Sequence, residues 1–379
     1  MSSHGRSGAW RRLRGWPWPF LLLIVGAAVA STRLVAPVSV PSSIVLAVFL
    51  PPLLFDAGFS MEMAAVRREL RWILLLGLAG SAFAAALTVA ILVALRFPVG
   101  EAFLLGAVLA ATDPISVFAA LRRLRTPPRL RLALEGESLV NDAVAVVLFA
   151  IALALNQGGR TEPIGLAGLF LRQTAVGLGV GALTGVMTRR ALRILPARAD
   201  LPLTLVASYL AYLVSDRLGG SGLLSVIALA LVLGTAPQSP AHHRIRRFWR
   251  QLGFVIACIA FLLVGLQVRV EAILALGFRL VLLVLTIWIA RIVMVLVVTA
   301  SASRLWPWRL RAALSWAGLR GALALALALS IPAGTPRRAE ALALVVGVVF
   351  VSLALQGLSL GPVFGRLGVA GSQAAPTVG

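Results

Sequence analysis

The sequence contains no lysine: all 35 of its basic residues are arginine. That absence excludes a Schiff-base mechanism, a lysine counter-ion and the phosphate-binding lysine of a P-loop. Cysteine is nearly absent as well. Cys258 is the only one and lies inside an apolar run, so a disulfide framework is excluded. The three histidines, His4, His242 and His243, all fall outside the apolar segments. An intramembrane serine protease therefore lacks its base, although GGSG at 219–222 resembles a nucleophile motif. Charge is scarce too. Only 13% of the 379 residues are charged and 60% are hydrophobic, with a mean hydropathy of +0.98. Long runs nearly free of charge recur along the chain, which is the mark of an all-α polytopic membrane protein.

About twelve apolar segments of helical length are present. They run over residues 20–36, 41–58, 72–95, 98–120, 132–155, 163–188, 200–217, 220–236, 249–267, 271–299, 309–331 and 339–361. Residues 1–19 form an N-terminal segment and 362–379 a short tail. The first apolar run follows RRLRGWPWP without a clear small-residue cleavage site, so it is read as a retained helix. The arginines check this division. Arg6–Arg14, Arg67–Arg71, Arg122–Arg131, Arg189–Arg198, Arg244–Arg250, Arg304–Arg311 and Arg366 place 24 arginines at the N-terminus and every second loop. Arg33, Arg96, Arg160, Arg217, Arg269, Arg337 and Arg338 place 7 on the other side. The positive-inside rule then predicts that both termini are cytoplasmic, in a cell's inner (plasma) membrane. It also accounts for the net charge of +22 through anionic headgroups, with no nucleic-acid partner. Arg172, Arg279, Arg291 and Arg320 remain inside apolar segments. For the first three, snorkelling to the interface is the simple expectation.

Segment 132–155 begins LALEGESLVNDAV, with Glu135, Glu137, Ser138, Asn141 and Asp142 where apolar residues are expected. Entering from the cytoplasm, it carries Asp142 to a depth of roughly 15 Å at 1.5 Å per residue. Segment 98–120 runs the other way and carries Asp113 to roughly 12 Å; segment 309–331 carries Arg320 to roughly 16 Å. Three ionisable groups from three segments thus share one depth near the middle of a core about 30 Å thick. Charges there face a cavity or one another. A static ion network that only holds helices together is the plain alternative.

The local backbone points to an ion site. In ATDPIS, residues 111–116, Pro114 deprives the Ala110 carbonyl of its helical partner. Thr112 and Ser116 add oxygens nearby. Free carbonyls, a hydroxyl and a carboxylate suit a hard monovalent cation or a proton. Ser138 and Asp142 share one helix face; Glu137 and Asn141 share an adjoining one. Gly318 and Gly321 flank Arg320 and permit close helix approach. Arg320 needs an anion, and Glu137 is the first choice.

Together these stretches resemble the monovalent cation:proton antiporter family of NhaP and sodium/proton exchanger type. The matching pieces are FLPPLLFDAGF (49–59), LLGAVLAATDPISV (104–117), LEGESLVNDAVAVVLF (134–149), GGSGLLSVIALALVLG (219–234), FLLVGLQV (261–268) and WAGLRGALALALAL (316–329). TDP alone is weak, but TDP, EGES-x-x-ND and GLRG in that order are highly specific. The resemblance implies an inverted repeat with crossed broken helices. It implies core helices over about 72–155 and 271–361 and scaffold or dimer helices over about 20–58 and 163–267, assembled as a homodimer. Asp142 becomes the main ion and proton carboxylate, with Asp113, Ser138 and Thr112 completing the coordination. Asn141 supports the broken backbone and Glu137 pairs with Arg320. Asp56, in LFDAG, matches an acidic position near the family's ion path, or else is a helix-end carboxylate at the surface. Members of the family usually carry a further helix ahead of the segment that begins here at Phe20.

The expected activity is exchange of Na+, or Li+ or K+, for protons by alternating access, with no cofactor. Asp142 binds either ion, and a bare carboxylate does not cross the hydrocarbon unloaded. Asn141 beside Asp142, and the missing lysine, resemble the electroneutral type. An ion channel built on the same polar cluster is the nearest rival, separated by whether it passes current. An intramembrane aspartyl protease using Asp113 and Asp142 lacks the YD and GxGD signatures of that family.

Overall fold

The computed structural model describes residues 18–32, 41, 44–61, 63–112, 126–156, 163–236, 239–267, 270–302 and 304–370. Asp113, Pro114 and Ser116 lie outside these residues.

In hydrocarbon every backbone polar group needs a partner within the chain, so apolar runs of spanning length fold as helices. The chain order is α1 (Trp18–Ser31), then a π-helical turn (Val45–Phe49) leading into α2 (Leu50–Phe59). Next come α3 (Met63–Leu74), a π-helical turn (Leu75–Ala79) and α4 (Gly80–Ala94), then α5 (Val99–Ala110), α6 (Pro128–Asn156) and α7 (Pro163–Ile194). After these stand α8 (Asp200–Arg217), α9 (Gly222–Gly234), α10 (Pro240–Gln267), α11 (Val270–Ala275) and α12 (Phe278–Thr299). The chain closes with α13 (Trp308–Trp316), α14 (Ala322–Leu329), α15 (Arg338–Val351), a third π-helical turn (Ser352–Gly357) and α16 (Leu358–Arg366).

Among the described residues, the expected apolar segments map onto these helices, with a local difference at 271–299. Residues 271–299, read as one segment, are divided by a turn. Gly277 takes φ +47° there, a left-handed conformation that favours glycine, so α11 ends before α12 begins. Several spans also reach further toward the arginine-rich side than hydropathy suggests. α7 continues to Ile194 and α10 begins at Pro240, because arginine is a good helix former and its head stays in water.

Burial separates central helices from peripheral ones. The most apolar stretch of α6 is 61% buried, and that of α7 only 11%. α6 is therefore a core helix, and α7 presents most of its apolar surface outward. α14 is buried at every residue and packs against α5, α10 and α15.

Two helices, α5 and α13, end at this centre. α5 stops at Ala110, and Ala111 is extended at φ −62°, ψ 141°. α13 stops at Trp316 and α14 starts at Ala322, leaving residues 317–321 non-helical. Broken backbone at membrane depth is tolerated only where protein or a cavity satisfies it.

Candidate ion-binding site

The site is built on one stretch of α6, where Glu137, Ser138, Asn141 and Asp142 are all buried. One face meets the end of α5. The Thr112 N–H donates to Asp142 Oδ1 at 3.2 Å, and Thr112 Oγ1 lies 2.8 Å from Ser138 Oγ. Two hydroxyls, a carboxylate and extended backbone thus converge at one point. All are hard oxygen donors or proton carriers.

Arg320 closes the break from the other side. Its Nη1 donates to Ala110 O at 2.7 Å and to Ala111 O at 2.8 Å. The carbonyl that Pro114 was expected to orphan therefore has a guanidinium as its partner. The cation also sits at the negative end of α5, where the macrodipole favours positive charge. The second break is held by α15 and the π-helical turn after it. The Arg320 backbone N–H donates to Ser352 Oγ at 3.1 Å, and Ser352 Oγ donates to Gln356 Oε1 at 2.7 Å. Gln356 Nε2 donates to Trp316 O at 3.1 Å. Both ends of the gap, Trp316 and Arg320, are tied to one helical turn.

The other face of α6 carries a different partnership from the one expected. Glu137 forms a two-point ion pair with Arg291 of α12, not with Arg320. Nη2 meets Oε2 at 2.8 Å and Nη1 meets Oε1. Arg291 Nη2 also donates to Leu314 O at 2.9 Å, near the end of α13. The reason is competition for Arg320: its guanidinium is committed to the α5 carbonyls. Arg291 does not snorkel; it is buried. Gly318 makes room for it, since a Cβ there would stand 3.0 Å from Arg291 Nε. Arg172 and Arg279 follow the simpler expectation. Arg172 donates to Leu218 O at the surface, and Arg279 pairs with Glu340 at 2.6 Å with its side chain half exposed.

Asn141, expected to support the broken backbone, reaches the turn between α3 and α4 instead. Its amide contacts Ser81 Oγ at 2.7 Å. With the nitrogen on that side, it also donates to Gly77 O at 2.8 Å, inside the π-helical turn between α3 and α4. Gly77 lets the two helices approach, because a Cβ there would lie 2.5 Å from Val140 Cβ.

The structure thus brings Thr112, Ser138, Asp142 and Arg320 together, with Glu137 and Asn141 one face away. Asp113 lies outside the described residues. Asp56 belongs to another junction, half-buried where α2 meets Gly253 of α10 and receiving Ser60 Oγ at 3.4 Å. Sequence reasoning missed Ser81, Ser352, Gln356 and the role of Arg291. A depth count would have pointed to Arg291, which lies eight residues, or roughly 12 Å, from the end of its segment.

The family model for the transmembrane sodium/hydrogen exchanger matches residues 5–366. The chain belongs to the sodium/hydrogen exchanger family. The chain is 32% identical over 378 residues to the Na(+)/H(+) antiporter ApNhaP of Aphanothece halophytica, covering 94% of this chain and 71% of that protein. It is 32% identical over 388 residues to the low-affinity Na(+)/H(+) antiporter NhaS1 of Synechocystis, covering 95% and 71%. Its fold is that of the sodium proton antiporter MjNhaP1 from Methanocaldococcus jannaschii, solved at pH 8. The TM-score is 0.79 at 20% identity, over 92% of each chain. Family and relatives are membrane transporters, so the two protease readings fall away.

Proposed function

We propose that this chain exchanges Na+, and also Li+ or K+, for protons across the membrane, with Asp142 as the carboxylate for which cation and proton compete. The observation that carries the reading is the meeting of Asp142, Thr112 and Ser138 at a helix break capped by Arg320. A hard cation held by these oxygens and a proton held by the carboxylate each reduce the charge that must move. The unloaded carboxylate stays put because a bare charge in hydrocarbon is costly. Arg320 donates to the backbone carbonyls of Ala110 and Ala111 and so holds the break in shape. Asp113 adds a second carboxylate by its position in the TDP motif.

In this reading the helices over 72–155 and 271–361 form the moving core. Those over 20–58 and 163–267 form a scaffold through which two copies pair, and both termini lie in the cytoplasm of a cell whose plasma membrane holds the dimer. Asn141 beside Asp142 leaves one carboxylate in that motif, which favours one proton per cation. The test is purified protein in liposomes enclosing a pH-sensitive dye, challenged with Na+, Li+, K+ and choline. Alkali cations are expected to move protons in the opposite direction and choline to do nothing. Proton movement that ignores all the cations would overturn the proposal.

A further inference from the structure

A cavity of about 230 Å³ lies at the arginine-rich end of the bundle, away from the ion site. The end of α2, the end of α7, the end of α9 and the start of α10 surround it. Phe59, Leu233 and Ile245 give it apolar walls, while Arg189, Arg193 and His242 give it polar groups; no carboxylate lines it among the described residues. Arg189 is lightly held, by Thr235 Oγ1 at 3.2 Å. The nearby acid Asp200 is engaged by Arg244.

His242 is the informative residue. It is 5% exposed, its ring lies against Phe59 with centroids 4.6 Å apart, and its Nδ1 has no hydrogen-bond partner among the described residues. A buried, unpartnered ring nitrogen in a cavity wall implies a missing polar partner. It also sits in the first turn of α10, a 28-residue helix whose positive end favours an anion. The last turns of α7 beside the cavity expose Met187 and Ile194 at 61% and 84%, as a lipid-facing surface does. Arginines at this end put it at the headgroup level of the cytoplasmic leaflet, where acidic lipids are enriched.

We infer that this cavity binds an acidic phospholipid. Arg189 and Arg193 take the phosphate, His242 Nδ1 hydrogen-bonds the headgroup, and the apolar wall receives the start of an acyl chain. Apolar walls and only two arginines favour a lipid over free phosphate, which has nothing to place against Phe59 and Ile245.

The test uses the full chain purified in an uncharged detergent. Its melting temperature is titrated with dioctanoyl phosphatidylglycerol, dioctanoyl phosphatidylcholine and inorganic phosphate, and bound lipid is counted by native mass spectrometry. Phosphatidylglycerol is expected to raise the melting temperature and remain as a bound adduct, while the other two do neither. The double variant Arg189→Gln/Arg193→Gln is expected to bind it about tenfold more weakly or worse. His242→Phe, which keeps the ring stack and removes the nitrogens, is expected to weaken it as well. Arg250→Gln, on the exposed side of α10, is expected to bind as the parent does. Equal stabilisation by phosphatidylcholine would overturn the proposal. So would a shift reproduced by inorganic phosphate, or pocket variants that bind the lipid unchanged.

Discussion

Arg291 and Arg320 are both buried guanidiniums within the same group of helices, yet they serve different partners. Arg291 neutralises Glu137 and reaches Leu314 O; Arg320 holds the carbonyls of Ala110 and Ala111. Removing one member of a buried ion pair strands the other, at a typical cost of about 3–5 kcal/mol. Glu137→Gln and Arg291→Leu are each expected to lower the melting temperature in detergent, and the double variant to recover part of the loss. Arg320→Leu leaves carbonyls short of a donor, at about 1–3 kcal/mol each. Combined with Glu137→Gln, that loss is expected to add. Recovery in the Glu137→Gln/Arg320→Leu pair instead would mean that the partnerships are the reverse of those described. At this scale the sequence was readable where polar residues stand out. Asp142, Ser138 and Asn141 are conspicuous in an apolar run. Choosing between two arginines for Glu137 was not, because a long side chain has several carbonyls and carboxylates within reach.

The interrupted helices depend on groups outside their own sequence. Residues 317–321 give up helical hydrogen bonds, and Ser352 and Gln356 satisfy the two ends of one of them, the Arg320 N–H and the Trp316 carbonyl. Gln356→Leu removes the donor to Trp316 O and the acceptor of Ser352. Its expected effect is a loss of about 1–3 kcal/mol in stability together with a higher half-saturating Na+ concentration, because Arg320 is positioned through the same turn. Melting temperature and Na+-dependent exchange rate check the two parts. A fall in stability with an unchanged Na+ dependence would confine the pair to folding. The end of α5 at Ala110 agrees with the carbonyl that Pro114 was expected to leave free, whereas the break near Arg320 was implied by the family resemblance and not by the glycines, which were read only for close helix approach. Ser352 was not legible, because hydroxyls in membrane helices commonly bond their own backbone. Thr184, Thr188 and Thr286 do so here, to the carbonyls of Val180, Thr184 and Leu282. Nothing in composition separates a hydroxyl satisfied at home from one that supports a neighbouring helix.

Across the whole molecule, the alternation of arginines and apolar runs outlined the helical segments because both respond to the bilayer, a field that acts on every loop and span alike. The turn at Gly277 escaped that reading, since a single glycine leaves the apolar run unbroken. Charge balance is also a property of the complete cycle. With Asn141 occupying the position before Asp142, one proton is expected to return for each cation. The exchange rate in liposomes is then insensitive to a clamped membrane potential, and a solid-supported membrane records no net current. A steep voltage dependence would indicate a second proton per turn.

The central claim is that a single buried carboxylate on α6 carries both ions. It is tested most directly by Na+-driven proton movement in proteoliposomes containing Asp142→Asn, reconstituted beside the parent protein at equal insertion. The substitution keeps the side chain's shape and an oxygen for the Thr112 N–H, while removing the charge that holds a cation and the site that titrates. The expected result is a folded, inserted protein that moves no protons at any Na+ concentration or pH. Exchange by Asp142→Asn at a rate near that of the parent would contradict the account and place the transported ion elsewhere.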